Sequence, residues 1–322
     1  MPGTDPAEAA RLVLGELPDL PYLPELPGRG PGADMIGRTA ALLPGLPVET
    51  TPAGWRLTAR PGRDLRRALD LLNRDLDALE EAAAGYEGPL KVQACGPWTL
   101  SASLELPASQ DVALADHGAV NDLTASLAEG LGGHLAEVRR RVPGATVLIQ
   151  LDEPRLPAVL EGSVPTASGW RRFPPAGEGP AAGALRTVLD AVDGFTLVHC
   201  CAHMAPFGII KQAGADGVYV DLDLLLGTQQ DLLAEAVEAG TGIVAGAVQP
   251  LGPVRPEARD IASRIISLWR RLGLPLTGSA EQVVIAPACG LAGASPDRAI
   301  AVLAACREAA GILPEMIEEG DS

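Results

Sequence analysis

The stretch Thr146-Val147-Leu148-Ile149-Gln150-Leu151-Asp152 decides the fold class, and Glu153-Pro154 follows it directly. Apolar side chains occupy both odd and even positions, which is typical of a strand buried on both faces in a parallel sheet. Five other short runs, rich in Val, Ile and Leu, predict further strands of this kind at residues 90–95, 195–199, 217–221, 242–248 and 282–287.

Helical patterns lie between these runs. The plainest covers residues 64–84, where leucines and alanines recur at helical spacing along one stripe. Strands that alternate with helices, without a break in composition, predict one α/β domain over residues 1–322. An eight-stranded TIM barrel, (β/α)8, with a missing or atypical first strand is the best fit, and a doubly wound open sheet is the alternative.

Composition excludes several classes of function. The chain carries 41 acidic against 25 basic residues, a formal net charge of −16, which disfavours binding to nucleic acid or to an anionic membrane surface. No apolar run has the roughly 20 residues of a membrane span, and the N-terminus lacks the features of a secretory signal. We therefore expect a cytoplasmic protein. In that compartment its 5 cysteines are better read as ligands, nucleophiles or core residues than as disulfides.

Two segments look irregular. Residues 17–37 are dense in Pro and Gly, and residues 162–183 follow a predicted strand but are too long for a tight turn. The second segment carries Trp170, Arg171 and Arg172 and is either an active-site lid or a surface insertion.

The strongest chemical signal is His199-Cys200-Cys201. In an extended chain His199 and Cys201 point to the same side, and Cys200 points away. Imidazole and thiolate are ligands that Zn²⁺ prefers, although core packing also explains such a pair. Cys289 follows the last predicted strand and Asp221 ends another. Because catalytic groups of α/β barrels come from the carboxyl ends of different strands, these residues predict one shared site.

Several motifs occur in the order of a known family: Cys95-Gly96-Pro97-Trp98-Thr99, Ile149-Gln150-Leu151-Asp152-Glu153-Pro154, His199-x-Cys201, Ala215-Asp216-Gly217-Val218-Tyr219-Val220-Asp221 and Ala288-Cys289-Gly290-Leu291. With them the chain resembles the C-terminal catalytic domain of cobalamin-independent methionine synthase. More broadly, it resembles the barrel group that includes uroporphyrinogen decarboxylase. The resemblance implies a Zn²⁺ cofactor with His199, Cys201 and Cys289 as ligands. Asp221 stands where the family has a fourth ligand, a glutamate.

The resemblance also implies how substrates bind. Asp152 and Glu153 match the catalytic carboxylates, and Asp152 matches the group that holds the amino group of homocysteine. Glu25 matches a second substrate-binding carboxylate, and Trp98 is the nearest substitute for the aromatic residue on which folate stacks. Ser103 stands at that aromatic position. The family's first-strand motif is absent ahead of residues 1–4, and residues 246–250 lack the proton-donating histidine.

The implied enzyme is a zinc-dependent S-methyltransferase that resembles 5-methyltetrahydropteroyltriglutamate-homocysteine S-methyltransferase. Zinc coordination deprotonates a thiol, and the sulfur can then accept a methyl group from methyl-folate or from a methylcorrinoid. The second donor would require a corrinoid protein as a partner. Two alternatives stay open: a decarboxylase-like lyase on the same barrel, and a non-catalytic zinc-binding paralogue.

Overall fold

The computed structural model describes residues 1–107, 109–252, 256–276 and 279–320. Within these residues the main sheet has six parallel strands in the order β3-β5-β6-β7-β8-β9. The strands of this sheet are β3 (Gly88–Cys95), β5 (Ala145–Asp152), β6 (Thr196–Cys200), β7 (Gly217–Asp221), β8 (Gly242–Val248) and β9 (Val283–Pro287). Every predicted strand is present, with ends that agree to within two residues.

The six strands form a curled half-barrel that is not closed, so the expected count of eight barrel strands is not met in the described part of the chain. The place beside β3 is taken by a short extended segment. The Leu23 N–H donates to the Lys91 carbonyl, and the Lys91 N–H donates to the Pro21 carbonyl, both at 2.9 Å. Since proline has no N–H, Pro21 cannot donate to β3 and the ladder does not extend before it. A single β-bridge between Tyr22 and Lys91 therefore takes the place of a first strand, inside the Pro- and Gly-rich segment at residues 17–37.

Helices pack outside the sheet. They are α1 (Pro6–Glu16), α2 (Met35–Ala40), α3 (Arg63–Ala82), α4 (Pro97–Ser101), α5 (His117–Arg141), α6 (Leu156–Glu161), α7 (Glu178–Leu189), α8 (Phe207–Ala213), α9 (Gly227–Glu238), α10 (Ala258–Leu272), α11 (Ser279–Gln282) and α12 (Pro296–Gly320). Helix α3 is the one predicted at residues 64–84, and it buries Ala68, Leu72, Leu76 and Leu79 on one face. No helix in the described ranges is both long and apolar enough to span a bilayer.

A second, small sheet lies beside the barrel mouth. Strands β1 (Val48–Thr51) and β2 (Gly54–Leu57) form an antiparallel hairpin, and β2 pairs in parallel with β4 (Leu104–Glu105). The proposed lid segment folds back on itself through a bridge between Pro165 and Arg172, which leaves Trp170 93% exposed. Neither element is part of the main sheet.

The inward-facing residues of the main sheet change character along the strands. Leu197, Tyr219 and Val244 form an apolar cluster inside the half-barrel. Nearer the carboxyl ends, the inward positions are held by Asp152 and His199, which are paired neighbours on β5 and β6. The apolar cluster and the polar pair share the inner face of the half-barrel, and His199 stacks on Tyr219 of that cluster.

Candidate metal centre

The structure brings His199, Cys201 and Cys289 together. Their ligand atoms all lie within 4.8 Å of one another, and the two Sγ atoms are 3.3 Å apart. His199 is on β6, Cys201 follows β6 directly, and Cys289 is two residues beyond the end of β9. Cys200 is 1% exposed and contributes no atom to the group, as strand alternation predicts. Only the curled sheet makes this cluster, because Cys289 is far from the other two residues in sequence.

The imidazole of His199 is oriented by a hydrogen bond to Asp152 and by stacking on Tyr219. Its Nδ1 lies 2.7 Å from Asp152 Oδ1. A carboxylate only accepts hydrogen bonds, so Nδ1 carries the hydrogen and Nε2 presents its lone pair. Tyr219 stacks on the ring with centroids 4.1 Å apart, and its hydroxyl donates to the Pro287 carbonyl at the end of β9. Tyr219 therefore links the histidine to the strand that leads to Cys289.

The three residues fit a zinc ion. His199 Nε2 is buried and has no hydrogen-bond partner among the described residues, as expected of an atom reserved for a metal. Two sulfurs bound at 2.3 Å in tetrahedral geometry would lie roughly 3.8 Å apart. The observed 3.3 Å requires only a small adjustment. One nitrogen and two sulfurs make a donor set that zinc favours, with a position left over for a substrate.

The two thiols share a proton. Their mutual hydrogen bond lowers the pKa of Cys289 to about 6 and raises the pKa of Cys201, which burial raises further. The pair therefore loses one proton easily and resists losing the second. A divalent cation removes this resistance, because thiolate, not thiol, is the metal ligand.

Comparison with known proteins identifies the family. Residues 88–312 match the model of the cobalamin-independent synthase catalytic domain, which is well over half of the chain. The chain belongs to this family. A B12-independent methionine synthase from Shewanella sp. W3-18-1, solved in complex with selenomethionine, has a similar fold. Its TM-score is 0.64 at 14% identity, over 98% of this chain and 89% of that one. A search of curated proteins found no match.

Membership of the cobalamin-independent synthase family supports methyl transfer in methionine synthesis, with homocysteine and a methyl donor as the substrates of the family. The match covers all three clustered ligands and ends inside α12. The three clustered residues therefore lie inside the part of the chain that matches the family.

Asp152 is bound on one oxygen only. Its Oδ1 accepts from His199 and, at 2.8 Å, from Gln150 Nε2. No described residue donates a hydrogen bond to Oδ2. Gln150 is 4% exposed, and its Oε1 is buried without a partner. Asp152 therefore contacts both His199 and Gln150 through a single oxygen.

Glu153 is fully buried and binds the turn after β3. Its carboxylate accepts from the Trp98 N–H at 2.9 Å, the Thr99 N–H at 2.8 Å and the Thr99 hydroxyl at 2.6 Å. Burial raises the pKa of Glu153 to about 7 against the opposing effect of these hydrogen bonds. Gly96 is required here, because a Cβ at this position would lie 2.4 Å from Glu153 Oε1. Glu153 thus fixes the Gly96-Pro97-Trp98-Thr99 turn.

The other predicted site residues are not members of the three-residue group. Glu25 is half-buried, with Oε1 3.8 Å from Arg38 Nε, and burial raises its pKa. Trp98 is 5% exposed and donates from Nε1 to the Ala181 carbonyl in α7, so its indole is packed against that helix. Asp221 ends β7 but is outside the three-residue group. The roles of these three residues stay predictions.

A cavity of about 680 Å³ opens beside these elements. It is lined by residues of the β1–β2 hairpin, including Trp55, by Ser103, by Arg155 directly after Glu153-Pro154, and by Thr166 and Ala167 of the irregular segment at residues 162–183. Trp98 is not among the lining residues. The cavity therefore borders the loops that follow β3 and β5.

Sequence reasoning missed Gln150, Tyr219 and Gln249. Gln150 and Tyr219 each lie two positions before a predicted site residue on the same strand, so alternation places each on the same face as that residue. That pattern was available in the sequence. Gln249 lies in the loop after β8, where no periodicity indicates the direction of a side chain.

Proposed function

We propose that this chain is a zinc-dependent methyltransferase that transfers a methyl group to a small thiol, with homocysteine as the acceptor and methionine as the product. The observation that carries the proposal is the convergence of His199 Nε2, Cys201 Sγ and Cys289 Sγ at the carboxyl edge of the sheet. Family membership supports the class of reaction.

The ligands are His199, Cys201 and Cys289, and the chemistry supplied by a bound Zn²⁺ is to hold the substrate sulfur as a thiolate at neutral pH. Asp152 holds His199 in the tautomer that presents Nε2, and Tyr219 fixes the plane of the ring. The free oxygen of Asp152 accepts a hydrogen bond from the substrate ammonium. Glu153 does not contact the substrate but positions the turn at residues 96–99.

The cavity beside Trp55, Ser103 and Arg155 is the proposed site of the methyl donor, and its lining residues do not include His199, Cys201 or Cys289. Its size, about 680 Å³, is in the range of small-molecule sites. Ser103 offers no aromatic surface there, whereas the Trp55 indole does. Methyl-folate and a methylcorrinoid delivered by a corrinoid protein are the two donors to compare in an assay.

Zinc content tests the proposal. The purified protein should hold about one zinc by mass spectrometry, and Cys289→Ser should lose it. Cys200→Ala is the matched control, because that thiol is adjacent to Cys201 but buried on the opposite face of β6. Adding homocysteine should then add one sulfur to the zinc X-ray absorption spectrum. A wild-type protein without zinc, or equal zinc in Cys289→Ser, contradicts the proposal.

A further inference from the structure

The carboxylate of Asp221 is already bound by other residues. Gln249 Nε2 lies 3.1 Å from Asp221 Oδ1 and 3.2 Å from Oδ2, and the Asp223 N–H donates to Oδ1 at 2.9 Å. Asp221 does not join the group in which His199 and the two cysteines approach within 4.8 Å of one another. The donors from Gln249 and Asp223 therefore hold the Asp221 carboxylate outside this group.

Gln249 is itself held in place. The same Nε2 donates to Asp223 Oδ2 at 2.7 Å, and Asp223 Oδ1 accepts from Arg264 Nη2 at 2.5 Å. Arg264 also donates from Nη1 to the Ala247 carbonyl in β8 at 2.6 Å. A carboxamide has two N–H donors, and here each has a carboxylate to bind. The loop after β8 is thus tied to the end of β7 by a chain of side chains that starts at Arg264.

We propose that Gln249 is a positioning residue that holds Asp221 outside the metal's coordination sphere, so that the zinc has three protein ligands and an exchangeable fourth position. The inference rests on the proposed zinc site. Aspartate is one methylene shorter than the glutamate of the family pattern, and two donors hold its carboxylate: the Asp223 N–H and one N–H of Gln249 that is shared between the two oxygens. An incoming thiol then takes the fourth position without displacing a protein carboxylate, the arrangement typical of catalytic zinc sites.

Zinc affinity, measured by competition with a chelating dye, tests the role of Asp221. Asp221→Ala should keep the wild-type affinity within about threefold, whereas Cys289→Ser should lose at least about a hundredfold. Asp221→Asn, which keeps the size of the side chain, serves if the alanine variant fails to fold. A loss of more than about thirtyfold in the folded Asp221 variant overturns the inference. Absence of zinc from the wild-type protein would instead overturn the proposed function, so the two failures are distinguishable.

A thiol titration tests the role of Gln249. Homocysteine is added to the zinc-loaded protein, and the third sulfur is followed by X-ray absorption. Gln249→Ala releases Asp221 to compete for the fourth position, so half-conversion should need at least about threefold more thiol than in the wild type. The double variant Gln249→Ala/Asp221→Ala should return to the wild-type value. An unchanged titration in Gln249→Ala, or no recovery in the double variant, overturns the positioning role.

Discussion

Replacing Asp152 tests the link between the buried carboxylate and the metal centre. Asp152 Oδ1 lies 2.7 Å from His199 Nδ1, and both residues are 8% exposed. In Asp152→Asn the amide oxygen can still accept from both His199 and Gln150, so the geometry is kept and the charge is lost. Hydrogen bonds to charged groups contribute about 1.5–3 kcal/mol and neutral ones about 0.5–1.5 kcal/mol. We therefore expect a loss of about 1–1.5 kcal/mol, or roughly tenfold in zinc affinity.

Asp152→Ala is a harsher change. It removes the acceptor and leaves the Nδ1–H of a buried imidazole without its partner, which costs up to about 3 kcal/mol. The corresponding loss of zinc affinity is up to about a hundredfold, in line with the usual effect of removing a carboxylate that orients a metal-binding histidine. The graded pair of variants separates the contribution of charge from that of the hydrogen bond.

The assay is dye competition for zinc at pH 7.5, with circular dichroism to confirm folding. Asp70→Asn, on the exposed face of α3, is a matched control for the loss of one negative charge and should keep the wild-type affinity. Equal affinity in the wild type and both Asp152 variants would refute the reasoning. In that case stacking on Tyr219 alone would be enough to orient the ring of His199.

Further predictions concern the turn held by Glu153. Gly96→Ala places a Cβ against the Glu153 carboxylate and should destabilise the protein by about 1–3 kcal/mol in chemical denaturation. Because burial raises the pKa of Glu153 to about 7 from an unfolded value near 4.5, the folded state binds the extra proton between these pH values. The free energy of unfolding should therefore fall by up to about 3 kcal/mol as pH rises from about 4.5 to 7. Glu153→Gln should abolish this component of the slope, and an identical pH profile in that variant would show that Glu153 is ionised throughout.

Much of the main sheet was predictable because its strands are buried on both faces. Short runs rich in Val, Ile and Leu predicted the ends of β7 and β8 as the structure has them. The position of the Tyr22–Lys91 bridge was not predictable, because this bridge depends on few residues. Leu23 donates to the Lys91 carbonyl, and the Pro21 carbonyl accepts from the Lys91 N–H. With Pro21 and Pro24 on either side of this pairing, the sequence looks like a loop.

The candidate site was predictable to the level of residue type and strand end. Alternation along β6 predicts that Cys201 points to the same side as His199 and that Cys200 points away. Because the carboxyl ends of parallel strands meet at one edge, Cys289 after β9 was expected beside them, and the structure places it there. The partners of Asp152 and Asp221 were not predictable, because they depend on strand register and loop conformation. Asp152 is the register neighbour of His199, whereas Asp221 accepts a hydrogen bond from Gln249, in the loop that follows β8.

The electrostatics of the two thiols favour a metal ligand over a free nucleophile or a role in packing. Cys201 and Cys289 are 3.3 Å apart, so two thiolates at this distance would repel each other strongly. Neither sulfur has a lysine or arginine as a hydrogen-bond partner in the described part of the chain, and the formal net charge of the protein is −16. A divalent cation bound to both sulfurs would offset this repulsion. The lone pair of His199 Nε2 beside these sulfurs makes that cation one that accepts both nitrogen and sulfur, which zinc does and magnesium or calcium does not.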